Sequence, residues 1–470
     1  MNIDQSIFKA YDIRGVYPSQ INEANAYALG RAYATFFLKD RGPAKDTEPK
    51  GTPKIAVSSD MRISSPALKA EVIRGLIESG LDVVDIGLAS TPTFYFAVAK
   101  FGYDGGIQVS ASHNPKEYNG LKIVKAHALP ISKDSGIFTM RDIILNDAFL
   151  PLAETPGTFE KYSGDIVEEE ALGQLADAHV DAQSIEPFTI VIDGSNGMGS
   201  VDMKTLFAHL PQCKIIPMNF ELDGTFPGHG GADPMKDQNT KDLRERVLAE
   251  HADLGIAPDG DADRTFFFDE KGQLMPQAIL RGIMAQIELA AHPGATVAYD
   301  IRPGKITKDM IDEVGGKSII TPVGHSIIKE MMIKENAIFG GESSGHYFYQ
   351  LPYGTFEAPM VLILKFLRYL SQQNKPLSEV LQSYKKYFNS GEINTPVADA
   401  DVVKQKISEI RSLYSDGQIQ EIDGLSVEYL DWWFNLRGSN TEPLLRLTVE
   451  ARSEQIMEEK RDELLKTIQS

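Results

Sequence analysis

The sequence predicts an α/β protein with three related α/β domains built on mixed sheets, followed by a smaller α+β domain at the C-terminus. Three observations carry that prediction. The 470-residue length exceeds a single core and fits several domains of ~100–150 residues each. Short apolar runs alternate with helical patterns three times along the chain. The last stretch, from about residue 388, changes to strands close together and a charged terminal helix.

In order, residues 23–38 have helical apolar spacing, and 41–54 (RGPAKDTEPKGTPK) read as a polar loop. An apolar run at 55–57 ends at Ser58, Ser59 and Asp60. Ser65-Pro66 then opens a helix with Ser as N-cap and Pro at the first position, and Thr91-Pro92 repeats the signal. Residues 81–86 and Gly105–Val109 are strands between and after these helices. The rhythm returns at 188–192 (strand), 193–200 (Gly-rich loop) and 201–210 (helix). It returns again at 296–299, 307–314, 318–321 and 326–334. Residues 401–413 read as a helix, 425–430 and 444–449 as strands, and 453–469 as the terminal helix. The boundaries fall near 159, 272 and 388, giving domains at 1–158, 159–272, 273–387 and 388–470. The last boundary (FNSGEINTP) has the clearest linker composition.

Composition narrows the classes. Hydrophobic residues are 42% and charged residues 24%, so the chain is not wholly disordered. No apolar stretch approaches the ~18–20 residues that span a bilayer, and the first fifteen residues do not read as a secretory signal. The single cysteine, Cys213, excludes an intramolecular disulfide framework and fits a cytoplasmic setting. A net charge of −19 argues against nucleic-acid binding, and any anionic substrate needs a local cationic cleft.

Four loops carry chemistry. The first, Ser110-Ala111-Ser112-His113-Asn114-Pro115, follows a strand end, where α/β sheets place their sites. A plain polar turn is the rival reading. A Ser–His hydrolytic pair is not expected, because neighbouring side chains rarely face each other. The second, Asp259-Gly260-Asp261-Ala262-Asp263-Arg264, brings three carboxylates toward one point, where they repel unless a hard divalent ion compensates them. A calcium EF-hand loop fails here, although Glu270 falls at its twelfth position, because Arg264 replaces the Gly of its sharp turn and Thr265-Phe266-Phe267-Phe268 is a strand. A solvated acidic turn is the remaining alternative. With no fourth carboxylate, the trio suits Mg²⁺ with a position open to a phosphate oxygen.

The third loop, Gly341-Glu342-Ser343-Ser344-Gly345-His346, matches the hydrolase pattern G-x-S-x-G. That reading fails, because a strand (Tyr347-Phe348-Tyr349) follows where a helix is needed, and His346 is the one histidine after Ser343. A carboxylate and hydroxyls in a Gly-rich loop suit sugar hydroxyls instead. The fourth, Arg437-Gly438-Ser439-Asn440-Thr441, can cradle a phosphate or serve as a hairpin turn. No Walker A loop is present in the sequence.

Taken in order and spacing, these loops and the stretch Phe8-Lys9-Ala10-Tyr11-Asp12-Ile13-Arg14-Gly15 resemble the α-D-phosphohexomutase family. Tyr118-Asn119-Gly120-Leu121-Lys122 and the Glu342-x-Ser344-Gly345-His346 loop resemble its bacterial phosphomannomutase/phosphoglucomutase branch, although Ser343 stands where those relatives often carry Met. The resemblance implies four domains around a central cleft. It implies reversible phosphoryl transfer between C1 and C6 of mannose and glucose phosphates, through a phosphoserine and a hexose 1,6-bisphosphate that serves as intermediate and activator. Ser112 would carry the phosphoryl group and join Asp259, Asp261 and Asp263 around Mg²⁺. Arg14, His113, Lys122, Arg264 and His346 would line the reaction centre, with His346 a candidate general acid/base. Glu342 and Ser344 would bind the 3- and 4-hydroxyls, and Arg437, Ser439, Asn440 and Thr441 the non-reacting phosphate. Lys9, Tyr11, Arg302 and His325 match cleft positions without an assigned role. The expected partners are hexose phosphates, not nucleic acid or membrane, and the family habit is a monomer. The alternatives are an aminosugar-phosphate mutase, a phosphoserine-forming phosphatase, and a non-catalytic calcium or sugar-phosphate binding protein.

Overall fold

The computed structural model describes residues 3–41, 51–302, 304–438 and 444–469. They form two compact units, Met1–Leu274 with Gly345–Leu377, and Met275–Ser344 with Ser378–Ser470.

The first unit holds two complete sheets and the antiparallel strand pair Tyr347–Leu351 and Gly354–Glu357. One runs in the order Ile13–Val16, Tyr118–Lys125, Gly105–Val109, Lys54–Ser59, Asp82–Leu88, Phe159–Lys161. The first three strands pair antiparallel and the rest parallel, so the sheet is mixed. Its central strands are buried along nearly their whole length, as strands covered on both faces must be. Helices Glu23–Arg41 and Ser65–Glu78 pack against each other at close range, because Gly30 and Gly75 leave room for the facing backbone: a Cβ at Gly30 would lie 2.5 Å from the Val72 carbonyl oxygen. The second sheet has the order Thr265–Asp269, Leu254–Pro258, Thr189–Asp193, Lys214–Met218, with the first pair antiparallel and the others parallel. The acidic loop is thus the turn of a buried β-hairpin.

The second unit contains the parallel strands Lys317–Thr321, Thr296–Asp300 and Ala337–Gly341. It also contains an antiparallel C-terminal sheet in the order Phe388–Asn389, Leu444–Ala451, Trp432–Gly438, Leu425–Glu428, Gln418–Gln420, with Ile393–Pro396 also pairing Leu444–Ala451. Helices Ala400–Leu413 and Glu454–Gln469 supply Ile410, Met457, Leu464 and Ile468 to its core.

Four local expectations need correction. The N-cap of Ser65–Glu78 is Ser64, one residue earlier than expected, and the Ser65 hydroxyl donates to Asp60 Oδ1 instead (2.6 Å). Before Thr91-Pro92 the N-cap is Ser90, whose hydroxyl accepts from the Thr93 N–H. The stretch expected as a linker supplies the short strands Phe388–Asn389 and Ile393–Pro396. Trp432–Gly438, which the sequence reading left between elements, is a central strand carrying Arg437. The 41–54 loop falls largely on residues 42–50, which lie outside the described residues, as do Ser439, Asn440 and Thr441. Among the described residues no helix is long and apolar enough to cross a membrane.

Candidate active site

Ser112 sits just beyond the buried strand Gly105–Val109, in a left-handed conformation with φ 51°. That backbone turn brings Ser112 Oγ to 3.1 Å from His113 Nδ1, so the adjacent side chains meet after all. The expectation that neighbours face apart assumed an ordinary extended or helical backbone. Ser112 Oγ also lies 3.3 Å from Asp259 Oδ2. Gly260 makes this approach possible: a Cβ there would stand 2.7 Å from the Ser112 carbonyl oxygen.

The aspartate trio is buried, and one carboxylate oxygen from each of Asp259, Asp261 and Asp263 lies within 4.8 Å of the others. Lys122, pointing from the strand Tyr118–Lys125, places Nζ 2.6 Å from Asp261 Oδ2 and 2.5 Å from Asp263 Oδ2. Burial alone would weaken its charge, but Asp261 and Asp263 hold the ammonium well above the usual lysine range. Burial, then the charges of Asp263 and Asp261, push the Asp259 carboxyl well above the usual range. The Asp261 Oδ1 atom is buried without a hydrogen-bond partner among the described residues. Three hard oxygen donors, an excess of negative charge and an unsatisfied carboxylate oxygen fit a small divalent cation. Thr91 fixes the trio from the far side, its N–H donating to the Asp261 carbonyl (2.9 Å) and its hydroxyl to Oδ2 (2.5 Å).

Cations ring the serine. Arg14 donates to Asn114 Oδ1 (2.6 Å) and pairs with Asp12. Arg264 lies 3.6 Å from Asp259 Oδ2 through Nε, and the same atom is 3.4 Å from His346 Nε2. His346 Nε2 is 3.3 Å from Asp263 Oδ1, and a backbone bridge between Arg264 and His346 sets that approach. Burial, then the charges of Arg264 and Arg14, hold the His113 ring well below the usual imidazole pKa, which disfavours its charged form. Lys9 is exposed and Tyr11 half-buried on the segment leading to Arg14.

The second unit gathers Glu342, Ser344, Arg302 and His325. Glu342 Oε1 accepts from the Gly324 N–H (2.8 Å), directly before His325 at the start of helix His325–Lys334. Arg302 donates to Ser344 Oγ (3.3 Å) and lies 3.6 Å from Glu342 Oε1. Asp300 holds this group in place, accepting from Arg281 (2.5 Å) and Arg302 (2.5 Å). Burial opposes its ionisation, but Arg302 and Arg281 keep its carboxyl below the usual range. Ser343 donates its hydroxyl to Asp300 Oδ1 (3.0 Å), a polar tether at that loop position. Arg437 is buried and paired with Glu392 (2.5 Å).

Family models described as alpha/beta/alpha domains I, II and III of phosphoglucomutase/phosphomannomutase match residues 5–149, 169–272 and 278–387. The corresponding C-terminal domain model matches 392–467. The chain belongs to the phosphoglucomutase/phosphomannomutase family. It is 36% identical to a phosphohexose mutase of Xanthomonas campestris pv. campestris over 458 residues, covering 97% of each chain. It is also 36% identical to a phosphomannomutase of Escherichia coli over 469 residues, covering 97% of this chain and 98% of that one. The crystal structure of a phosphoglucomutase/phosphomannomutase family protein from Burkholderia thailandensis superimposes with a TM-score of 0.87 at 29% identity, covering 99% of this chain and 98% of that one. Phosphoglucomutase/phosphomannomutase membership makes the chain a four-domain hexose-phosphate mutase, an isomerase.

Sequence reasoning missed Thr91, Asp300 and Arg62. Asp60 and Arg62 follow directly on a strand's C-terminal end, the place where α/β sheets build sites, and that position was the available signal. Asp300 ends the strand Thr296–Asp300 and so carried the same signal, whereas the Thr91 contact with Asp261 spans 170 residues and left no local trace.

Proposed function

We propose that this mutase exchanges a phosphoryl group between C1 and C6 of a hexose phosphate, with Ser112 as the carrier and mannose and glucose phosphates as substrates. The supporting observation is the position of Ser112 Oγ, 3.3 Å from Asp259 in the buried trio and 3.1 Å from His113 Nδ1. In this reading phosphoserine 112 donates to the free hydroxyl of the sugar phosphate. The sugar oxygen–phosphorus bond forms, the serine oxygen–phosphorus bond breaks, and Ser112 Oγ regains a proton. The hexose 1,6-bisphosphate then turns over, and its other phosphoryl group returns to Ser112.

A phosphoserine carries about −1.5 to −2 charge, and a second phosphate must come beside it. Arg14, Lys122 and Arg264 offset that charge and stabilise the oxygens in transit. Asp259, Asp261 and Asp263 would hold Mg²⁺, which supplies electrostatic compensation to the phosphoryl oxygens. His113 Nδ1 lies within hydrogen-bond reach of Ser112 Oγ, and His346 is the candidate acid/base toward the sugar hydroxyl. Glu342 and Ser344 bind the 3- and 4-hydroxyls, while Arg437, Ser439, Asn440 and Thr441 hold the non-reacting phosphate. The 3- and 4-hydroxyls exchange places when the sugar flips, so both orientations are accepted and C2 is left unread.

The test is S112A assayed on mannose 1-phosphate, glucose 1-phosphate and glucosamine 1-phosphate with the matching bisphosphate. The reading expects wild type to use mannose and glucose phosphates and S112A to fall by at least about 1,000-fold. Near-normal S112A turnover removes Ser112 from the chemistry. A preference for the aminosugar supports the sister mutase, and release of inorganic phosphate supports a phosphatase.

A further inference from the structure

One arginine outside the reaction centre is built around the serine loop. Arg62 is fully buried, and all five N–H groups of its guanidinium have an acceptor. Nη2 donates to the carbonyls of Ser112 (2.7 Å) and Asn114 (2.6 Å). Nη1 donates to the carbonyls of Pro115 (2.8 Å) and Tyr118 (3.0 Å). Nε donates to Asp60 Oδ2 at 3.2 Å. Four of the five bonds thus end on the backbone of one seven-residue turn, 112–118, at the start of which Ser112 adopts φ 51°.

The arginine itself is fixed from two sides. Asp60 Oδ1 accepts from the Arg62 N–H (3.0 Å) and from the Ser65 hydroxyl (2.6 Å). The Phe226 ring lies 5.1 Å from the guanidinium carbon, and Gly224 packs so closely that a Cβ there would be 2.8 Å from Arg62 Cα. A buried cation needs such complete pairing to be tolerated. Its location beneath the one loop that must present Oγ in the same place, bare or phosphorylated, gives that pairing a purpose.

We infer that Arg62 is a positioning residue for phosphoryl transfer: its planar guanidinium locks the carbonyls of 112–118 and so fixes Ser112 Oγ against Asp259 and His113. This rests on Ser112 as the phosphoryl carrier. Lysine cannot replace it, because an ammonium is a point donor and cannot span four carbonyls in one plane. Arg62 touches no reacting atom, so its loss acts on the transfer rate and leaves the binding of sugar phosphate intact.

The experiment uses R62K and D60N in the full chain, with circular dichroism to confirm folding. Labelled glucose 1,6-bisphosphate is mixed with dephosphorylated protein, and the single-turnover rate of labelling at residue 112 is followed beside steady-state kcat and KM. The expected result for R62K is a fall of about 100-fold in labelling rate and kcat, with KM within about threefold. D60N, which loosens Arg62 without removing it, is expected to lose about tenfold in the same parameters. If R62K does not fold, D60N decides, and a D60N labelling rate within about twofold of wild type overturns the inference. Wild-type labelling rates in folded R62K, or a loss that appears in KM alone, overturn it as well. Wild-type protein that takes no label at residue 112 overturns the serine reading itself, and the Arg62 inference falls with it.

Discussion

Ser112 and Asp259 are 147 residues apart in sequence, yet Ser112 Oγ lies 3.3 Å from Asp259 Oδ2. The contact joins the end of a strand in one sheet to the turn of a hairpin in another. It makes the carboxylate trio and the serine one centre. Chelation of divalent cations is therefore expected to abolish mutase turnover, with Mg²⁺ restoring it. D261N, which removes charge but keeps volume, is expected to lose at least about 100-fold in kcat at saturating Mg²⁺. Activity that survives exhaustive chelation contradicts this.

Lys122 bonds the same carboxylates that would hold the cation, at 2.6 and 2.5 Å. Removing its charge leaves three buried carboxylates less compensated, which costs stability until another cation arrives. K122Q is expected to melt below wild type in chelator and to gain more than wild type when Mg²⁺ is added. Activity in K122Q falls in the same samples, since the ammonium also faces the transferred charge. Equal Mg²⁺-induced shifts in melting temperature in the two proteins contradict the shared-carboxylate arrangement.

Glu342 is fully buried, and its Oε1 already accepts from the Gly324 N–H. A buried carboxylate accepts hydrogen bonds only, and in the proposed role it accepts from hydroxyls that both sugars possess. E342Q is expected to lower kcat/KM on mannose 1-phosphate and glucose 1-phosphate by similar factors, about 10–100-fold. A loss confined to one sugar contradicts the assignment, because it means that Glu342 reads C2.

Asp202 provides a pH-dependent term away from the chemistry. It is fully buried on the helix Gly199–Ala208, and burial pushes its carboxyl up to about 7. Burial, followed by the charge of Asp202, also raises Glu170. The unfolded chain releases the Asp202 proton near pH ~4, whereas the folded chain keeps it to about 7. Between those values the folded state binds the extra proton, so stability falls as pH rises through the window. D202N lacks this titration. Its urea midpoint is expected to gain on wild type between about pH 5 and about pH 8. A difference that stays constant with pH contradicts the burial argument.

The repeated strand–helix rhythm was readable because buried strands are continuous apolar runs, as at Thr189–Asp193 and Thr265–Asp269. The trio was readable because carboxylates at alternate positions of a loop demand a counter-ion. Long-range partners left no local trace. Arg62 reaches carbonyls 50–56 residues away, and Thr91 reaches Asp261 across 170. The meeting of Ser112 with His113 depends on a positive φ that a serine does not announce. Ile393–Pro396 read as linker because it is only partly buried and takes its register from Leu444–Ala451, not from a hydrophobic pattern of its own. Arg437-Gly438 read as a turn because its Gly obscured the strand it ends.

The most direct test follows the phosphoryl group itself. Purified protein is incubated with radiolabelled glucose 1,6-bisphosphate, digested, and the label mapped by peptide mass. The account expects about one label per chain, on Ser112, that is chased off by unlabelled mannose 1-phosphate or glucose 1-phosphate as labelled sugar bisphosphate. Label on another residue, or none on a preparation that turns over normally, contradicts it.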